Sequence, residues 1–158
     1  MERREILTAG ALAALAATVG GAKVAAQSNE GASGNASAPA RLLRVYADEA
    51  GESHLEELAM GADLKPVPAK AVEILNYTRN SADWHTAPDR RFAMNIIGDL
   101  RVTTSDGKQH HIGPGDLVFL QDTTGKGHVT ERLGPVVTIF IHLAQDFDGV
   151  AWAKGGAS

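Results

Sequence analysis

Apolar positions in this chain come mostly in short runs that alternate with polar residues, and glycine, proline or aspartate ends most runs. Residues 42–47, 71–77, 91–97, 100–104, 109–112, 117–120, 129–133 and 136–143 carry this pattern, with the β-branched and aromatic content of strands. Ser105-Asp106-Gly107-Lys108 predicts a tight hairpin, because Asp-Gly supplies the positive φ that joins two twisted strands. Residues 53–60 read two ways. Leu55, Leu58 and Ala59 fit a helix with Ser53 as N-cap and Glu56 and Glu57 near its start, or the segment is an irregular edge strand. Pro66 and Pro68 break any helix there.

Short strands with turn signals every eight to twelve residues predict an all-β, antiparallel sandwich or small barrel. It spans residues 41–144, and a tail, 145–158, is a short helix around 150–152 or loose. The stretch 113–130 organises the rest. A Gly113-Pro114-Gly115-Asp116 turn leads into strand 117–120, and a glycine-punctuated loop then delivers His128 onto the next strand. A side chain at the point where a strand leaves a tight loop is well placed for function.

The N-terminus changes the expected setting. Glu2-Arg3-Arg4-Glu5-Ile6-Leu7 resembles the twin-arginine export motif, an Ala-rich apolar run follows, and Val24-Ala25-Ala26 offers a small-residue cleavage site before Gln27. Residues 1–26 are expected to be a signal peptide, and the Ser-, Gly- and Ala-rich residues 27–40 a flexible linker. The apolar run is thin for a membrane span, so the expected location is periplasmic or secreted, with no membrane partner after processing. The chain has 15 basic and 19 acidic residues, a net charge of −4. Removing residues 1–26 takes away Arg3, Arg4 and Lys23 against Glu2 and Glu5, which leaves the remainder one unit more acidic. That balance argues against nucleic acid as a partner. With no cysteine, disulfides and thiolate metal sites are excluded.

Two motifs resemble those of the small, single-domain cupins. Gly107, Pro114, Gly115, Asp116 and His128 follow the second cupin motif, and His85 and Gly98 take the ends of the first. The resemblance covers residues 70–143. It implies an antiparallel jelly-roll β-barrel with His85 and His128 in a cavity that takes a small molecule, and it suggests a homodimer. Metal-binding cupins use two histidines and a glutamate of the first motif with the histidine of the second. Here Ala87 stands at the second histidine position, and the glutamate position falls on Arg91 or Phe92.

Two chemistries remain open. Residues two apart in a strand share a face, so Asp83 would point with His85. Asp83, His85 and His128 would then form a two-histidine, one-carboxylate set for a divalent metal such as Fe, Mn, Zn or Ni, with His142 a further candidate and His110 a distant one. If Arg91 points inward instead, it repels a cation and grips a carboxylate or phosphate, leaving His85 and His128 as acid–base groups. The competing placement for Arg91 is the surface, paired with Asp89. Trp84 is either a rim or core aromatic or a stacking platform for substrate. Three functions compete. The first is an exported enzyme on a small organic substrate, with carboxylates among the candidates, metal-dependent or working by metal-free proton transfer. The others are a ligand-binding sensor or carrier, and a structural barrel whose histidines only satisfy hydrogen bonds.

Overall fold

Alternating sequence becomes paired sequence over most of the computed structural model, which describes residues 41–78 and 83–156. The expected signal peptide and linker lie outside the described residues. Nine strands form: β1 (Leu42–Ala47), β2 (Ser53–Leu58), β3 (Ala71–Tyr77), β4 (Arg91–Ile97), β5 (Leu100–Thr104), β6 (Gln109–Ile112), β7 (Leu117–Leu120), β8 (His128–Arg132) and β9 (Val136–His142). One short helix, α1 (Gly149–Ala153), follows them. The larger sheet has the order β2-β1-β7-β4-β9-β3 and the smaller β6-β5-β8. His85 adds to the free side of β8 through a single antiparallel bridge to His128.

From β3 onward the chain shuttles between the sheets. β3, β4, β7 and β9 go to the larger one, and the His85 segment, β5, β6 and β8 to the smaller. Eight stretches in that order make the double Greek key of a jelly roll. The two ladders stay separate among the described residues and enclose a cavity without closing into one cylinder. β1 and β2 extend the larger sheet. β1 lies parallel to β7, an exception to the expected antiparallel pairing. Its start is tied there by Arg41, whose backbone N and Nε donate to Asp116 Oδ1 (3.2 and 3.1 Å) and whose guanidinium reaches Oδ2 at 2.6 Å.

Period-two alternation divides the apolar residues between two clusters. Leu43, Val45, Val102, Ile112 and Val118 pack between the sheets. Their strand neighbours Leu42 and Phe119 point the other way and join Phe92, Leu143, Phe147 and Trp152. The tail is therefore part of the fold. Asp148 caps α1 by accepting from the Val150 and Ala151 amides (both 3.0 Å), and Trp152 Nε1 donates to the Lys65 carbonyl at 2.7 Å. Gly149 is required by packing, since a Cβ there would lie 2.5 Å from the Phe119 ring.

The helix considered for residues 53–60 does not form. The segment is β2, an edge strand antiparallel to β1. Leu55 and Leu58, three apart, fall on opposite faces of the strand, and each finds its own cluster, Leu55 the inner and Leu58 the outer. Ser53 is fully buried, so it cannot serve as an exposed cap.

His54, on the same strand, ties two turns together. Its Nε2 meets Asp48 at 2.9 Å and its Nδ1 meets Asp106 at 3.0 Å in the β5–β6 hairpin. Hydrogen bonds from Asp48 and then Asp106 raise the His54 pKa above its ordinary value against a smaller effect of burial. The hydrogen bond from His54 lowers the Asp48 pKa. Burial would raise the Asp106 pKa, but bonds from Thr104, Lys108 and His54 outweigh it and lower the value. A raised histidine stabilises below its unfolded pKa and loses that contribution as pH rises through the folded one, while the lowered carboxylates lose theirs on acidification. The cluster therefore contributes most between about pH 4 and 6.5. Thermal denaturation of wild type and His54→Gln across pH 4–9 should show the two melting temperatures converging as pH rises. Parallel curves would refute the assignment.

Candidate functional site

The site is built where β7, its following loop and β8 meet the segment around His85. Gly125 and Gly127 in the loop hold φ of +91° and +74°, conformations that favour glycine. Gly127 is also a matter of space, because a Cβ there would sit 2.2 Å from the His85 carbonyl oxygen. That close approach lets the His85 and His128 backbones exchange hydrogen bonds of 3.0 and 2.8 Å. A third bond, from the Ala87 amide to the Asp122 carbonyl at 3.1 Å, fixes the same segment to the loop. The two imidazoles end with ring centres 4.6 Å apart.

Each imidazole is oriented at Nδ1. His128 is 2 % exposed and its Nδ1 lies 2.6 Å from Oδ2 of Asp122, which has no exposure at all. Ser53 Oγ donates to the same oxygen at 3.3 Å. His85, exposed at the cavity edge, has Nδ1 at 2.8 Å from the Asp83 carbonyl oxygen, a pure acceptor. With the Asp122 oxygen and the carbonyl oxygen as acceptors, the proton of each ring sits on Nδ1. Nε2 is then the basic nitrogen of both rings.

A cavity of about 450 Å³ opens from this pair between the sheets. That is within the range of small-molecule sites. Its walls are mainly apolar, with Val45, Val102, Val118, Leu120 and Phe140 among them. The charged residues that line it are Asp83, Arg91 and Arg132. On β4 the alternation decides between two neighbours, since Phe92 turns to the aromatic cluster and Arg91 to the cavity. Arg91 both faces inward and pairs with Asp89, through Nε, so the two placements considered for it are joined in one. Its guanidinium carbon lies 5.3 Å from the centre of the Phe140 ring.

Of the other residues expected at the site, Asp83 lines the cavity together with His85. Trp84 is 56 % exposed and does not line it. His142 sits beside Arg91, where its Nδ1 meets Asp89 at 2.8 Å and its Nε2 approaches Glu73 at 3.4 Å. Both of its ring nitrogens are thus engaged. His110 is half-buried outside the cavity wall, with burial lowering its pKa. Among the described residues no three His, Asp or Glu side chains converge as an ion would need. Of the two positions on which the first motif's glutamate falls, the one that lines the cavity is Arg91. Asp122, Ser53, Asp89, Tyr77 and Arg132 were not singled out from the sequence as site residues. An acid six positions before His128 was the only local signal for Asp122.

No protein-family model and no curated protein matches the chain. Among solved structures, a DUF861 family protein from Thermotoga maritima is 25 % identical over 45 % of this chain and 77 % of its own, with a TM-score of 0.39. A putative ethanolamine utilization protein Q from Salmonella typhimurium is 14 % identical over 67 % of this chain and 97 % of its own, with a TM-score of 0.36. The strand order above, and not these partial overlaps, carries the jelly-roll assignment.

Gly127→Ala should uncouple the two histidines, since it places a methyl group against the His85 carbonyl and strains a positive φ. The expected cost is about 1–3 kcal/mol in urea denaturation, with the His128 imidazole signals shifted in NMR spectra. Unchanged stability and unchanged imidazole shifts would contradict this role.

Proposed function

We propose that the chain is an exported jelly-roll enzyme that moves a proton on a small carboxylate, using His128 as base and His85 as its partner acid. The observation that carries this reading is the fully buried Asp122 held on His128 Nδ1 beside a cavity that Arg91 lines. Burial keeps water from competing for that hydrogen bond, and the carboxylate stabilises the imidazolium that forms when Nε2 takes a proton. Arg91 uses Nε for Asp89, which leaves its terminal N–H groups for a carboxylate. A guanidinium keeps its charge at every working pH, so this end of the cavity favours an anion over a metal cation.

The placement of the two rings limits the reaction. They lie side by side, so proton removal and proton return take place from one side of the ligand. His128 removes a proton from the carbon next to the carboxylate. Protonated His85 then hands its own proton to a leaving hydroxyl, giving an unsaturated acid and water, or to a carbon further along, giving an isomer. Epimerisation would need an acid on the opposite side. Dehydration or isomerisation is therefore favoured.

The first test is proton exchange in D2O, followed by NMR with a panel of 2- and 3-hydroxy carboxylic acids. Wild type is expected to exchange the proton next to the carboxylate, with a loss of at least about 100-fold in His128→Ala and a smaller loss in Asp122→Asn, both variants remaining folded by circular dichroism. Exchange that survives His128→Ala would sink the proposal, and saturable binding with neither exchange nor product would point to a carrier instead. Elemental analysis of protein purified without chelator or affinity tag is expected to show far less than one metal ion per chain. A stoichiometric ion would overturn the metal-free form of the reading.

A further inference from the structure

The register of the two sheets separates the cavity's guanidiniums to opposite ends. At one end Arg91 pairs across β4 with Leu120 and His142, close to the loop that carries Asp122 and His128. At the other, Arg132 closes β8 opposite Leu100, next to the β4–β5 and β8–β9 turns, which are joined by a 2.9 Å bond from the Leu133 amide to the Asp99 carbonyl. His128, Thr130 and Arg132 are alternate residues of β8, and all three line the cavity. The first and the last are four residue steps apart, a span of about 13 Å along the backbone. The wall between is apolar, with Val102, Val118 and Phe140. The guanidinium carbon of Arg132 lies over Tyr77, 3.8 Å from the ring centre, and Tyr77 itself lines the cavity. A cation over an aromatic face is held there by the ring quadrupole. With five N–H donors a guanidinium can hold a ligand oxyanion beside its other partners.

We propose that the cavity selects a linear dicarboxylate. One carboxylate binds Arg91 next to the two histidines, where the chemistry occurs, the hydrocarbon chain lies along the apolar wall, and the second carboxylate binds Arg132. This rests on the carboxylate reading given above and extends it from one charged end to two. Arg132 would then measure chain length, since only a ligand of matching reach can engage both guanidiniums at once.

The test is calorimetric titration of wild-type protein with α,ω-dicarboxylates from succinate to suberate, each against the monocarboxylate of equal carbon number. One dicarboxylate length is expected to bind at least roughly tenfold more tightly than its monocarboxylate. Arg132→Gln should lower that dicarboxylate to the affinity of the monocarboxylate, and Arg91→Gln should weaken both kinds of ligand. Circular dichroism checks that the variants remain folded. Equal affinities for the two series in wild type, or a dicarboxylate preference that survives Arg132→Gln, would overturn the two-ended site while leaving the carboxylate reading standing. Absence of binding by every carboxylate would remove both. Failure of the exchange experiment with this binding pattern intact would remove only the chemistry.

Discussion

The approach of the His85 backbone to Gly127 is the constraint on which the site depends. An isolated bridge of two hydrogen bonds holds His85 to β8, and it exists only because residue 127 has no Cβ. The same loop fixes Ala87 through the Asp122 carbonyl and His128 through the Asp122 carboxylate. A single loop thus sets both imidazoles. Its tip is pinned in turn, because the Lys126 amide donates to the Gly51 carbonyl at 2.8 Å and Gly125 lies against Gly51. The β1–β2 turn, outside the eight-stretch jelly roll, therefore buttresses the end of the cavity that carries the two histidines.

Much of the fold was legible in the chain because strand period and turn chemistry are local. The Asp106-Gly107 hairpin forms with φ of +84° at Gly107, and the apolar runs became strands close to where alternation placed them. Residues 53–60 were ambiguous for a physical reason. A spacing of three between leucines serves one face of a helix, but equally both faces of a strand that is buried on two sides. Deciding needed β1 as a partner, which is tertiary information.

The site was less legible. The choice between Arg91 and Phe92 turned on register, and a slip of one residue exchanges every inward side chain for an outward one. Asp122 was hidden more deeply. It lies in a loop of threonine, glycine and lysine that reads as solvated, and what buries it includes Ser53 of β2, far away in sequence. Arg132 lies inside the expected strand 129–133, with nothing local to mark the side it faces. Only the two-sheet arrangement shows that β8 turns His128, Thr130 and Arg132 toward one space.

The carboxylates around the cavity are held in two different ways. Asp89 is shared between Arg91 and His142, and the bonds from both outweigh burial and hold its pKa below the ordinary value. It stays charged and directs the arginine. Asp122 is held by a different set of contacts. Its Oδ2 serves His128 and Ser53, while Oδ1 is buried with no hydrogen-bond partner among the described residues. Leaving a buried carboxylate oxygen unsatisfied costs stability. A carboxylate with few other donors is also a stronger acceptor for the one it keeps, because in a low-dielectric setting that charge is screened least. The expense falls on the carboxylate that holds His128, the group that the proposed proton transfer would call on to stabilise a positive imidazole.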